Sequence, residues 1–303
     1  MKTSIIFAVV AVGFVMPSGA IAQELSGTLA KIKNSGIVTI GHRESSVPFS
    51  YYDDNQNVVG YSMDLCDKVV GAIKEELELP GLQIKLVPVS GATRIPLLAN
   101  GTIDLECGST TNNAERGKQV AFGPTHFVAA NRFVSKTASE LHTLDDLKGK
   151  SVVAAAGTTN IRQVEKINSE RDLDMGVFAS KDLAEGFLMV QTDRASAFFL
   201  DDVLLAGLVA NSKSPTDYTI SSIGLSVEPY GIMYRRDDPR FATVVNKSLS
   251  DVFTSGEGAA IYQRWFTEPV PPRGINLNFP MSEELKRAFS HPTNSPDPAE
   301  YQH

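Results

Sequence analysis

Strand and helix signals alternate along this chain in two separate blocks, and that repeat constrains the fold more than any single motif. In the first block, apolar residues 37–40 read as a strand running into Gly41-His42-Arg43. Leu65, Val69, Ile73 and Leu77 recur every fourth residue, as on a helix with one buried face, and Ser62 is its expected N-cap. Residues 84–89 follow as a strand, 93–98 as a short helix closed by Asn100-Gly101, 103–107 as a third strand and 112–119 as a helix start. The second block begins with a strand at 152–155 that meets Gly157-Thr158-Thr159, where a helix opens. A strand at 175–178, an amphipathic helix at 182–191, an apolar strand at 195–200 ending in Asp201-Asp202, and a helix at 203–210 complete it.

Extended stretches at 125–136 and 227–235 connect the blocks; residues 239–266 are helical by period, and the tail from Pro269 is Pro-rich and partly irregular. Alternation of this kind predicts an α/β protein with mostly parallel sheets under covering helices. Two blocks and two crossings predict two lobes: a discontinuous one of residues 23–128 plus 228–303, and an inserted one of residues 129–227.

The first 22 residues read as a secretory signal. Lys2 supplies the positive start, residues 5–15 the apolar run, and Ala20-Ile21-Ala22 the small-x-small cleavage pattern. The run is shorter than the roughly 20 residues that span a bilayer, so cleavage is preferred over a retained anchor. The mature chain is expected to start near Gln23, and no Cys follows the small residues to take a lipid. No long apolar segment remains, which predicts a protein that is not membrane-embedded. Removing the signal leaves 27 Lys and Arg against 35 Asp and Glu, a net charge of −8. That argues against nucleic acid or an anionic membrane as a partner.

Cys66 and Cys107 are the two cysteines. Export permits a bridge, but the preferred reading is two buried free thiols behaving as small apolar residues. Without CxxC or clustered His there is no metal-site signal, and no cofactor motif occurs.

Polar groups collect at the predicted strand ends: Arg43, Ser109-Thr110-Thr111, Thr158-Thr159 and Asp201. Open α/β sheets bind ligands beyond the carboxyl ends of their strands, and a cleft between two lobes would bring these groups together. An Arg fork matches a carboxylate with two parallel hydrogen bonds. A helix opening at Thr158-Thr159 offers free N–H groups and a positive dipole end to an anion, although either Thr would serve equally as a simple cap. Asp201 suits an ammonium, with Asp202 the alternative cap of the following helix. Ser46, Phe49 and Tyr51 fit an aromatic wall over a ligand or packing within the lobe.

The segments Gly41-His42-Arg43-Glu44-Ser45-Ser46-Val47-Pro48-Phe49, Arg94-Ile95-Pro96-Leu97-Leu98, Glu106-Cys107-Gly108-Ser109-Thr110-Thr111-Asn112-Asn113, Gly157-Thr158-Thr159 and Asp201-Asp202 resemble the periplasmic glutamate/aspartate-binding proteins of ABC importers. The resemblance covers essentially the whole mature chain, through Trp265-Phe266 and Pro271-Pro272. It implies a type II periplasmic-binding-protein fold that closes around one free amino acid, a monomer, and delivery to an inner-membrane ABC permease. It also implies roles. Arg116, assisted by Thr111 and Thr159, grips the α-carboxylate. Ser109 and Asp201 hold the ammonium, and Arg43 and Arg94 face the side-chain carboxylate. Three Arg against one Asp leave that pocket at +2, which favours a ligand with a second carboxylate, since an unpaired buried charge costs roughly 3–5 kcal/mol.

Two positions depart from the family's pattern. Gly91 stands where those proteins carry Ser, and Leu183 where they carry His. Lost polar contacts and added room at Gly91 predict a distal end that accepts a longer acidic or γ-substituted ligand, such as a γ-glutamyl compound. Two other functions compete. The cyclohexadienyl dehydratases resemble these proteins, but the required general acid has only Glu44 and Glu106 as candidates, both of which read as structural. An extracellular sensor module would need a following membrane segment. The hinge is expected near residues 125–131 and 227–232.

Overall fold

The computed structural model describes residues 25–302; the predicted signal, residues 1–22, lies outside the described residues. Two five-stranded sheets organise the chain. The first runs Gln83–Pro88, Ile37–His42, Leu105–Cys107, Met233–Arg235, Val120–Phe122 across the sheet. Its first three strands are parallel, and Met233–Arg235 returns antiparallel between two of the others. The second runs Gly176–Ser180, Ser151–Ala155, Ala197–Asp201, Asn131–Lys136, Tyr218–Ile220 and repeats that plan. Between them Phe127–Ala129 and Glu228–Tyr230 pair antiparallel as a two-stranded ribbon. The chain therefore crosses from the first sheet to the second and back along one narrow band.

The helix Tyr61–Leu77 shows how the apolar stripe acts. Leu65, Val69, Ile73 and Leu77 are all buried. Ser62 is not its cap, because the helix starts at Tyr61 and its N-cap is Gly60, two residues earlier. A Cβ there would fall 2.2 Å from the Phe49 carbonyl oxygen, and the φ of +140° is glycine's. Ser62 instead donates its hydroxyl to the Gly108 carbonyl at 2.8 Å, tying the helix to the loop that carries Ser109. One turn on, Cys66 lies over the end of the strand Leu105–Cys107. The expected free thiols are thus corrected to a Cys66–Cys107 disulfide: the packing brings the two Cα atoms to 6.2 Å, within bridging range.

Three other expectations change. The helix start at 112–119 shrinks to a single 3₁₀ turn, Arg116–Lys118. The strand expected at 175–178 lies at Gly176–Ser180. The helical stretch 239–266 breaks into Pro239–Thr254 and Glu257–Phe266 at Gly256, which takes a φ of +88°. Beneath the crossing ribbon Phe49 packs edge-on against Tyr61, Phe127, Tyr230 and Phe266, with ring centroids 5.0–6.0 Å apart. Of the two readings of Phe49, packing is the one the structure adopts. No helix among the described residues is long and apolar enough to cross a membrane, and no group of three metal-capable side chains occurs among them.

Candidate ligand-binding cleft

The strand ends of both sheets face one another across a narrow cleft walled by Arg43, Arg94, Ser109, Thr111, Thr159 and Asp201, together with Thr158, Asn160 and the leucines 183, 200 and 204.

Arg43 follows the strand Ile37–His42 directly and is 3% exposed. Its backbone N–H donates to the Ser50 hydroxyl at 2.8 Å, which fixes the turn. Its guanidinium has no hydrogen-bond partner among the described residues. Burial, and then the nearby Arg94 charge, push its pKa down to about 10. Arg94 opens the helix Arg94–Ala99 and is anchored inside its own lobe. It donates to the Thr110 hydroxyl at 2.5 Å and lies 4.0 Å from Glu106, while its Nε has no partner among the described residues. The Ser109 hydroxyl is likewise buried without a partner.

From the second lobe come Thr158, Thr159, Asn160 and Asp201. Thr158 is a cap: its hydroxyl accepts from the Ile161 N–H and donates to the Ala155 carbonyl. The helix Thr159–Glu170 thereby presents its positive end to the cavity. Thr159 donates to Glu228 at 3.0 Å. Asp201 precedes a helix but does not cap it; Asp202 accepts the Val203 N–H instead. Asp201 accepts from Asn160 at 2.7 Å and from the Tyr230 hydroxyl. Burial, and then the Glu228 carboxylate, raise its pKa to about 7.

Arg116 is placed differently. It is not among the residues walling this space. Its guanidinium donates to the Thr111 carbonyl at 2.8 Å and to the Gly157 carbonyl at 3.2 Å, bridging the two sides of the cleft. Burial, followed by the Arg94 and Arg162 charges, lowers its pKa to about 9.

The charge count from the sequence is corrected here. Glu106 and Glu228, both fully or almost fully buried, join Asp201, so three carboxylates face three guanidinium groups and the excess of +2 disappears. Sequence reasoning missed Glu228, Tyr230 and Asn160. The first two sit two apart on one face of the second crossing strand, and a charged residue inside an apolar extended stretch was the available signal.

The family model of bacterial extracellular solute-binding proteins, family 3, matches residues 38–268. The chain belongs to this family. An L-glutamate/L-aspartate-binding protein of Pseudomonas aeruginosa is 47% identical over 284 residues, covering 93% of this chain and 94% of the relative. A glutamate/aspartate import solute-binding protein of Escherichia coli is 44% identical, covering 90% of each. Among solved structures, a mutant of ArgBP from T. maritima superposes with a TM-score of 0.69 at 30% identity, covering 78% of this chain and 98% of that one.

Within the family fold, the two departures have clear surroundings. Leu183 is buried and walls the cavity beside Leu200 and Leu204, making that end apolar. Gly91 does not add room, contrary to the sequence expectation. A Cβ built on it would lie 2.5 Å from the Ala156 carbonyl oxygen, so the opposite lobe's backbone already fills the space a side chain would take.

Proposed function

We propose that this protein is an exported, periplasmic receptor that captures an acidic amino acid, glutamate or aspartate, and passes it to the membrane permease of an ABC importer. The single observation that carries the acidic preference is Arg43. It is a buried guanidinium at the wall of the cleft with no hydrogen-bond partner among the described residues. A buried cation left so is costly, and a ligand carboxylate is its natural complement. With the charges of the cleft balanced by Glu106 and Glu228, this donor without a partner among the described residues replaces net charge as the reason for an acidic ligand.

In this reading Arg43 and Arg94 take the side-chain carboxylate. Thr111 and the helix start at Thr159 take the α-carboxylate, with Arg116 bridging the two sides of the cleft behind them, and the unpartnered Ser109 hydroxyl with Asp201 takes the ammonium. The lobes, residues 23–128 with 228–303 and residues 129–227, close about the paired crossing strands, and the closed form is the one the permease reads. The signal at residues 1–22 directs the export. The named relatives are transport proteins. Glu106, the candidate acid for a dehydratase, has one carboxylate oxygen engaged by the Thr110 hydroxyl at 2.7 Å and the other 4.0 Å from Arg94.

Calorimetric titration with glutamate, aspartate, glutamine and a γ-glutamyl dipeptide tests the assignment. Tight binding of an acidic amino acid, with the amide and the dipeptide far weaker, is the predicted pattern. Equal binding of glutamine would refute it.

A further inference from the structure

The second crossing strand does more than join the lobes. Tyr230, which ends it, is wholly buried, and three of its connections meet at the cleft. Its backbone forms a bridge with Thr111. On either side of it, Gly231 donates to the Thr110 carbonyl at 3.0 Å and Asn112 donates to the Pro229 carbonyl at 2.7 Å. The loop that carries Ser109 and Thr111 is thus bonded to this strand. The Tyr230 hydroxyl reaches the other way, to the Asp201 carboxylate at the end of a second-lobe strand. Phe49, Phe127 and His126 surround the ring, with centroids 5.3–6.3 Å away, and fix its direction.

We propose that Tyr230 is the positioning residue of the ammonium subsite: from the hinge it aims the Asp201 carboxylate, so the counter-charge for the ligand is set by the strand about which the lobes turn. The proposal rests on the reading of Asp201 as the ammonium's partner. The phenol keeps its proton and donates it to the carboxylate, because burial and the Asp201 charge hold its own pKa well above the ordinary value. The groups facing Asp201 come from several elements. Glu228 on the same crossing strand and Asp202 at the following helix start oppose its ionisation. The Asn160 amide and the Tyr230 hydroxyl favour it, and Arg94 lies near enough to feel its charge. A protonated Asp201 offers an ammonium no counter-ion, so affinity should rise with pH as Asp201 ionises. Removing a donor to the carboxylate moves that rise to higher pH.

Tyr230→Phe keeps the ring and removes the donor. Carbon-13 NMR titration of the aspartate carboxyls in the ligand-free protein reads Asp201 directly, and Asp201→Asn assigns its signal. The Asp201 midpoint, about 7 in the parent, is predicted to move up by about one unit in Tyr230→Phe. Glutamate affinity should then fall about fivefold at neutral pH, with the deficit closing as pH rises. In an Asp201→Asn background the same substitution should cost nothing further. An unmoved midpoint, or a loss equal at every pH, overturns the proposal. A parent protein that binds neither glutamate nor aspartate refutes the ligand assignment instead, while the NMR titration still decides the role of Tyr230.

Discussion

Gly91 and Ala156 meet across the cleft with nothing but backbone between them. A Cβ on Gly91 would stand 2.5 Å from the Ala156 carbonyl oxygen, and a Cβ on Gly157 would stand 2.5 Å from the Gly91 carbonyl oxygen. Two glycines from different lobes thus set how closely the cleft shuts. Gly91→Ser should hold the lobes apart in the closed state, since the obstacle is backbone rather than a flexible side chain. Overpacking of this kind costs about 1–3 kcal/mol, so glutamate should bind roughly ten- to a hundredfold more weakly by calorimetry. Unchanged or tighter binding would mean that the cleft tolerates a wider closure than the contact implies.

His126 lies on the approach to the first crossing strand, wholly buried, and neither ring nitrogen has a hydrogen-bond partner among the described residues. Burial pushes its pKa from 6.5 down to about 3. The unfolded chain therefore holds the extra proton between those values, and folding stability falls as pH drops through that window. At about pH 4.5 this one group should account for about 2–3 kcal/mol of lost stability. Urea denaturation of the parent and of His126→Phe, at neutral pH and near pH 4.5, should show a smaller acid loss in the variant. Parallel losses would contradict it.

The Cys66–Cys107 bridge closes a loop of 41 residues and ends two positions before Ser109. Loop-closure entropy for that length gives about 4 kcal/mol as an upper figure, with about 2–4 typical. Cys66→Ser combined with Cys107→Ser should lower the Tm by about 10 °C. It should also loosen Ser109 enough to weaken ligand binding several-fold. A Tm unaffected by reductant would show that packing of the helix alone holds this corner.

The alternation of strands and helices was legible because its cause is local: an apolar stripe every fourth residue, or an apolar run ending at Gly. So were the residues at the strand ends that wall the cleft, Arg43, Ser109, Thr111, Thr159 and Asp201, while Arg94, at a helix start, was named through the family resemblance. What the sequence hid depends on distances between remote segments. Cys66 and Cys107 carry no spacing signal, and only the angle at which the helix Tyr61–Leu77 lies on its strand brings them together. Gly91 read as a missing side chain and an open space, yet the segment filling it lies 65 positions away in the other lobe. Glu228 and Glu106 cancelled the charge excess because a buried carboxylate cannot be told from an exposed one until its partners, here Thr159, Gln163 and Thr110, are in place.

In the proposed function the acidic preference rests on Arg43, and a thermodynamic cycle tests it most directly: glutamate and glutamine, each titrated into the parent and into Arg43→Gln. Changing carboxylate to amide in the ligand and guanidinium to amide in the protein removes the same contact from either side. The account predicts a strong preference for glutamate in the parent that largely vanishes in the variant, a coupling of about 2–4 kcal/mol. If the preference for glutamate survives the substitution intact, the side-chain carboxylate does not sit against Arg43 and the account is contradicted.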